Sequence, residues 1–180
     1  MAIIRTYPKV RFFCGVLMQD AECIPATESA LTKAWGEIDF TFGPIPFNFT
    51  KYYEQETGTS ILRSFYAFKT PFDREELANR KVQSNHIEDE LADILKRPVT
   101  RPVNLDPGYL CPEKLVLASA KNFAHRIYIG QGIFAEITLF WRHGKFVPLE
   151  WTFPDYASGV YDEFFTKLRH KLTKKESQNE

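Results

Sequence analysis

The C-terminal half of the chain carries the pattern that most limits its fold. Three segments, at residues 125–129, 133–141 and 146–153, are apolar and rich in β-branched and aromatic residues. They are joined by Gly130-Gln131-Gly132 and by Arg142-His143-Gly144-Lys145, two glycine-containing connections of hairpin length. Because short hairpin connections make neighbouring strands antiparallel, this part of the sequence predicts a β-meander.

The rest of the chain alternates between strand and helix patterns. Strands are expected at residues 10–18, 37–49, 60–69 and 114–120, and Gly43, Pro44 and Pro46 keep the second of these out of a central place in a sheet. Helices are expected at residues 25–35, after Asp73 and at 158–172. The second helix has a start resembling a capping box and ends before Pro98, either as one helix or as two with a break near Ser84.

These elements predict the fold class. We expect one α+β domain over residues 1–172, with a mostly antiparallel sheet, a β-meander in its C-terminal half and about three helices packed on it. The highly charged residues 173–180 are expected to form a disordered tail.

Charge and cysteine content limit the function classes and the compartment. The 23 basic and 23 acidic residues cancel, so no overall field draws the protein to nucleic acid, which is the least favoured partner. No apolar run approaches the roughly 20 residues of a membrane helix, so we expect no membrane partner. The three cysteines are an odd number at irregular spacing, which favours reduced thiols in the cytoplasm.

Familiar catalytic and metal signatures are missing from the sequence. There is no phosphate-binding P-loop, no nucleophile elbow and no zinc-protease motif, and the Gly130-x-Gly132 pair lacks the third glycine of a dinucleotide fingerprint. His86, Glu90 and Asp93 share a helix face at ligand-like spacing, but polar residues on such a face usually meet solvent. The sequence therefore assigns no metal site and leaves the cofactor unknown.

Residues 121–136 concentrate unlike polar groups around short strands. Lys121 and Arg126 can hold an anion, and His125 can move a proton. Glu136 lies in the strand IFAEITLFW, where the alternation predicts one apolar face made of Ala135, Ile137, Leu139 and Trp141 and puts Glu136 on the other. A carboxylate among phenylalanines is costly unless it is paired or near water. This leaves two interpretations, a structural pair with Arg126 or Lys121, or a cleft.

The stretch NLDPGYL, residues 104–110, predicts a loop with a proline–glycine turn. Asp106 is expected to accept hydrogen bonds from backbone amides around Gly108, because aspartate before Pro-Gly is favoured in turns for local reasons. The same loop would present Asn104 and Tyr109 to a ligand.

Four segments together resemble a known family: YYEQETG (52–58), RPVNLDPGYL (101–110), KLVLASAKNFAHRIYIGQGIFAEITL (114–139) and WTFPDY (151–156). They are similar to the bacterial domain-of-unknown-function family 4416 over nearly the whole chain. The resemblance implies a prokaryotic cytoplasmic protein. No activity is established for the family, so no catalytic role is carried over. The motif positions are Glu54, Glu56, Lys81, Asn85, Glu88, Asn104, Asp106, Lys121, His125, Arg126, Glu136 and Asp155.

Two functions remain open at the level of sequence. The first is a sheet-lined cleft that binds a small anionic ligand, a nucleotide or another phosphorylated compound, with acid–base catalysis. Its catalytic residues would be His125, Glu136 and Asp106, and its ligand-binding residues Lys121, Arg126, Asn104 and Tyr109. Glu136 and Asp106 would either orient the other groups or hold a divalent metal through their oxygens. The alternative is a non-catalytic interaction or regulatory protein that docks a partner on an exposed aromatic patch, Phe47, Phe49, Tyr52 and Tyr53. Whether the protein is an enzyme, and its oligomeric state, are not determined by the sequence.

Overall fold

The computed structural model describes residues 3, 7–50 and 52–176. Within them the strands are β1 (Val10–Met18), β2 (Ile38–Pro46), β3 (Leu62–Phe72), β4 (Val103–Cys111), β5 (Lys114–Ser119), β6 (Ile127–Gly130), β7 (Ile133–Arg142) and β8 (Lys145–Pro148). The α-helices are α1 (Ile24–Trp35), α2 (Glu54–Thr57), α3 (Leu77–Leu95), α4 (Pro154–Ala157) and α5 (Asp162–Glu176).

The strands form a single antiparallel sheet in the order β2-β3-β1-β4-β5-β7-β6, with β8 also paired to β7. The single α+β domain and the C-terminal meander are therefore confirmed. The strand β2 lies at an edge, as its glycine and prolines predicted, since a proline cannot donate to a ladder.

Helices cover both faces of the sheet and enclose two cores. On one face α1 and α3 pack against a cluster that includes Phe12, Trp35, Phe68 and Leu91. On the other face α4 and α5 pack against a cluster that includes Phe13, Phe65, Phe165 and Leu168. Successive residues of a strand point to opposite faces, so the neighbours Phe12 and Phe13 belong to different cores. This explains why β1 is apolar at nearly every position instead of alternating.

The helix boundaries differ from the predicted ones in three places. Asp73 caps no amide with its side chain; a short 3₁₀ turn, Arg74–Glu76, precedes α3, which then runs unbroken through Ser84. Pro154 starts the separate short helix α4, so the last long helix begins at Asp162 and not at Ser158. That helix extends to Glu176, into the segment expected as a tail, and residues 177–180 lie outside the described residues.

The predicted loop at NLDPGYL is wrong, because residues 104–110 lie inside the central strand β4. The backbone N–H and C=O of Leu105 are bonded by side chains of α3, so they point away from β1. Pro107, two residues on, turns its nitrogen to the same side, where pairing with β5 has not yet begun. No ladder bond is lost there, and so this proline is tolerated inside the sheet.

The same pairing pattern leaves a V-shaped gap in the sheet. The strands β4 and β5 pair only from Gly108↔Leu117 to Cys111↔Lys114, so residues 103–107 of β4 diverge from the end of β5. On its other side β4 is paired to β1 from Val103 to Leu110. The gap therefore opens between two strands that are each paired to another neighbour, β4 to β1 and β5 to β7.

Among the helices of the described residues, none combines the length and the apolar character that crossing a membrane requires.

Candidate ligand-binding cleft

A cleft of about 670 Å³ lies at the gap between β4 and β5. Volumes of roughly 300 to 1,000 Å³ are typical of sites for small molecules. Its charged and amide side chains come from distant parts of the chain: Arg63, Lys81, Asn85, Arg101, Asn104, Asp106, Lys121, Arg126, Glu136 and Asp155. Its aromatic walls are formed by Phe47, Phe49, Tyr52, Tyr53, Phe123, Phe153 and Tyr156.

Helix α3 closes the bottom of the gap by bonding the free edge of β4. Lys81 donates its ammonium to the carbonyl of Leu105 at 2.7 Å, and the Leu105 amide donates to Glu88 at 2.7 Å. Glu88 also accepts from Arg101, with 2.5 Å between Nη2 and the carboxylate. Burial raises the pKa of Glu88, and the cations Lys81 and Arg101 oppose that rise. The backbone groups exposed by the divergence of the strands are thus satisfied by charged side chains.

Arg63 crosses the sheet beneath the cleft. From β3 its guanidinium lies 3.1 Å from Asp155 on α4 and 3.5 Å from Asp106 on β4. It passes over Gly15 of β1, where an added Cβ would come within 3.1 Å of Nη1. Burial alone lowers the pKa of Arg63, but the neighbouring Tyr156 and Asp155 raise it above its ordinary value. The buried guanidinium therefore stays charged and ties three elements together.

The carboxylate of Asp106 has a different environment from the predicted one. It does not cap turn amides; its Oδ2 accepts from Asn104 Nδ2 at 2.9 Å and faces Arg63. Asn104 and Asp106 are two residues apart on one strand and so share a face. Tyr109 belongs to the opposite face and packs against the core under α1 and α3. The structure thus brings Asn104 and Asp106 to the cleft and does not bring Tyr109 there.

Glu136 is the centre of a second buried pairing. Its Oε2 accepts from Arg126 Nε at 2.6 Å and contacts His125 Nε2 at 3.0 Å. Arg126 also donates to the hydroxyl of Ser119 and to the carbonyl of Lys121. Of the two partners considered for Glu136, the structure selects Arg126. The two interpretations of Glu136 are compatible, because the paired carboxylate also lines the cleft.

His125 lies beside the cleft and outside its lining. Its ring stacks between Phe123 and Trp151, at centroid distances of 6.0 and 5.2 Å. Because the carboxylate of Glu136 is an acceptor, Nε2 of His125 is the donor of their hydrogen bond. Within the described residues no hydrogen bond is formed by Nδ1. The arrangement holds the imidazole in one orientation.

Lys121 lies at the outer part of the cleft. Its ammonium contacts the hydroxyl of Tyr52, and it pairs with no carboxylate among the residues that the structure describes. The expected aromatic patch is only partly exposed: Phe47 is buried, whereas Phe49 and Tyr52 are 37% and 58% exposed. All four of these aromatic residues line the wall of the cleft, and their role in docking a partner stays a prediction.

The face assignment along β7 was wrong from Leu139 onwards. Ala135 and Ile137 pack towards the first core, as one apolar face requires, but Leu139 and Trp141 pack in the second. The pairing of β5 with β7 shifts between Leu115↔Leu139 and Val116↔Ile137, so one extra residue of β7 is accommodated there. Such a bulge exchanges the faces of the residues that follow it.

Lys81, Asn85, Arg101 and Asp155 are cleft residues that the sequence reasoning did not select as site candidates. Three of them, Lys81, Asn85 and Asp155, stand at motif positions of the family resemblance, which is the signal that could have found them. Three further motif positions contact residues of the cleft: Glu56 and Glu88 pair with Arg101, and His125 pairs with Glu136.

The comparison with protein families agrees with that resemblance. The sequence model of the family described as Domain of unknown function (DUF4416) matches residues 8–172. The chain belongs to this family. Comparison with curated proteins and with solved structures gives no match.

Proposed function

We propose that this DUF4416 protein binds a small phosphorylated ligand, such as a nucleotide or a sugar phosphate, in the cleft between β4 and β5. The observation that carries the proposal is the pair of cations in the lining of the cleft, Lys121 at its outer part and Arg126, whose side chain is only 5% exposed. Lys121 has no carboxylate partner within the described residues. Arg126 uses Nε and Nη1 on protein acceptors, which leaves Nη2 without a hydrogen bond in the same part of the chain.

These cations are presented as a phosphate site requires. Arg126 is held by Glu136, Ser119 and the carbonyl of Lys121, so its orientation is determined before a ligand arrives. Pre-organised guanidinium groups bind phosphate oxygens strongly because their hydrogen bonds are charge-assisted. Lys121 adds a point charge next to it. Of the other basic side chains in the lining, Arg101 pairs with Glu56 and Glu88, and Arg63 pairs with Asp106 and Asp155.

The aromatic walls suit the remainder of such a ligand. Tyr52 and Phe123 are exposed by 58% and 54%, and both line the cleft beside the cations. A planar ring can stack on such side chains, and each stacked base contributes on the order of 1–3 kcal/mol in complexes with nucleic acids. A nucleotide combines a stacking ring with a phosphate and therefore meets both features of the outer cleft.

The geometry supports the acid–base part of the hypothesis less directly. Glu136 is paired with Arg126, and His125, which pairs with Glu136 and stacks on Phe123 and Trp151, does not line the cleft. We therefore assign binding to the cleft and a positioning role to His125, which helps to hold Glu136 in place for Arg126.

Ligand binding is tested by calorimetry and thermal shift. The probes are inorganic phosphate, ribose 5-phosphate and the four common nucleoside monophosphates. A ligand at about 100 times its dissociation constant adds roughly 2.7 kcal/mol of stability, which for a chain of this size raises the melting temperature by about 5–11 °C. Lys121→Ala should weaken binding about tenfold, since one charge-assisted contact is lost. Lys33→Ala, an exposed lysine on α1, is the matched control and should bind normally.

Two results would contradict the proposal. The first is that no probe at millimolar concentration changes the melting temperature of the unmodified protein. The second is that Lys121→Ala binds a probe as tightly as Lys33→Ala does, which would place the anion somewhere else.

A further inference from the structure

The inner part of the cleft carries two hydrogen-bond acceptors side by side. Asn104 donates Nδ2 to Oδ2 of Asp106, and this bond leaves the amide oxygen of Asn104 and Oδ1 of Asp106 as acceptors. Neither oxygen has a hydrogen-bond partner among the described residues. Asn104 is only 3% exposed, yet it lines the cleft. A nearly buried amide whose oxygen has no protein partner points to a ligand that supplies donors.

Both acceptors are held rigidly. Asp106 Oδ2 faces Arg63, which is itself fixed by Asp155 at 3.1 Å. The backbone of residues 103–107 is paired to β1 on one side and bonded by α3 at Leu105 on the other. The side chain of Asp106 is 26% exposed, so Oδ1 is presented from a fixed carboxylate to the open part of the cleft. A pre-organised acceptor pair discriminates strongly, because a ligand without donors leaves both oxygens desolvated and unpaired.

The two regions of the cleft have opposite preferences. Lys121 and Arg126, which follow β5 in the chain, favour an anionic group, whereas Asn104 and Asp106 on β4 favour N–H or O–H donors. The charge of Asp106 is already balanced by Arg63 at 3.5 Å, so this end of the cleft offers acceptors and no free cation for a phosphate. A ligand that spans the cleft is therefore bound in one direction.

We infer that the cleft selects phosphorylated compounds whose end remote from the phosphate carries hydroxyl or amino donors, with Asn104 and Asp106 as the specificity-determining residues. This inference rests on the proposed function and narrows it to a substrate class. Sugar phosphates and nucleotides belong to that class, and simple aryl phosphates do not.

Three probes separate the contributions of the phosphate, the hydroxyl donors and the amino donor to binding. Phenyl phosphate has a ring and a phosphate without a donor at the remote end, ribose 5-phosphate has hydroxyl donors, and adenosine 5′-monophosphate has hydroxyl and amino donors. Affinities are measured by calorimetry for the unmodified protein, for Asp106→Asn and for Asp39→Asn. The last variant removes a half-buried carboxylate that pairs with Arg11 and Lys171 and does not line the cleft, and so it controls for a general loss of stability.

The unmodified protein should bind the two donor-bearing probes at least tenfold more tightly than phenyl phosphate. Asp106→Asn should lower their affinity about tenfold and leave that of phenyl phosphate within twofold, while Asp39→Asn changes none of the three. A loss for both donor-bearing probes identifies hydroxyl groups as the donors, and a loss for the nucleotide alone identifies the amino group.

Equal effects of Asp106→Asn on all three probes, or no effect on any, would overturn the inference while leaving phosphate binding in place. If none of the probes binds the unmodified protein, the proposed function fails and the inference with it. Should Asp106→Asn not fold, as judged by circular dichroism, Asn104→Leu removes the amide oxygen while the Asp106–Arg63 pair remains, and the same pattern of affinities is expected.

Discussion

The two tyrosines around Arg63 allow the ion-pair network beneath the cleft to be tested by stability alone. Tyr156 and Tyr161 are both almost fully buried, at 3% and 1% exposure. The hydroxyl of Tyr161 donates to Asp155 at 3.1 Å. The hydroxyl of Tyr156 is buried and has no hydrogen-bond partner among the described residues. Burial raises the pKa of both hydroxyls, so both are protonated at neutral pH.

Replacement of each tyrosine by phenylalanine should therefore change stability in opposite directions. Tyr161→Phe deletes a hydrogen bond to a charged acceptor, which contributes about 1.5–3 kcal/mol. Tyr156→Phe keeps the ring, including its packing on Phe65, and removes a desolvated hydroxyl whose burial without a partner costs about 1–3 kcal/mol. We expect Tyr156→Phe to raise the free energy of unfolding by about 1 kcal/mol. The two variants should then differ by roughly 2.5–4 kcal/mol.

Urea unfolding at pH 7, followed by tryptophan fluorescence and circular dichroism, measures both changes. The dependence of the free energy on urea concentration should be the same in all three proteins, because the area exposed on unfolding does not change. A loss of stability in Tyr156→Phe as large as that in Tyr161→Phe would refute the reasoning. It would mean that the Tyr156 hydroxyl has a partner in solution.

Two further predictions concern charge and close packing elsewhere in the sheet. Burial alone raises the pKa of Asp39, but hydrogen bonds from Lys171 and Arg11 lower this pKa below its ordinary value. The ionised carboxylate therefore stabilises the fold above about pH 4, and this stabilisation is lost as the pH falls through the lowered pKa. Asp39→Asn should lower the free energy of unfolding by about 3 kcal/mol at pH 7, because it leaves Arg11 buried without its charged partner. In urea titrations below pH 4 the difference between the variant and the unmodified protein should shrink. A difference that stays constant with pH would contradict this prediction. Gly108→Ala should lower the free energy of unfolding more than Gly15→Ala in the same assay. The Cβ added at Gly108 would lie 2.6 Å from the backbone carbonyl oxygen of Val116, whereas the atoms closest to a Cβ at Gly15 belong to the side chains of Phe65 and Arg63, at 3.0 and 3.1 Å. The reverse order would show that the backbone yields more easily than these two side chains.

The fold could be predicted largely from local patterns, and the errors have local physical causes. The meander followed from hairpin-length connections, which leave adjacent strands little choice of partner. The segment around Asp106 was wrongly predicted as a turn, because Pro-Gly favours turns whenever the chain is free to form one. Pro107 lies where the pairing of β4 with β5 ends, and that position depends on the tertiary arrangement. In β7 the residues after the bulge point to the opposite faces from those predicted, and the alternation of apolar residues in the sequence does not indicate where a bulge occurs.

One part of the candidate site was predictable because its residues are close in sequence. Ser119, Lys121, Arg126 and Glu136 come together because β5 and β7 are neighbours in a meander, so sequence proximity becomes spatial proximity. The contribution of α3 could not be foreseen from patterns. Lys81 resembles any helix-surface lysine, and its role follows from the position of Leu105 across the gap.

The way in which the gap is closed also limits what can bind there. An open strand edge is ordinarily a template for an additional strand, and an extended peptide could be expected to dock on it. At β4 the edge groups of Leu105 are already bonded at 2.7 Å by Lys81 and Glu88, two buried charged side chains. A peptide strand would have to displace both and leave their charges without partners, which is costly in a buried site. Recognition at β4 is therefore left to the side chains of Asn104 and Asp106, and this favours a small polar ligand over a peptide.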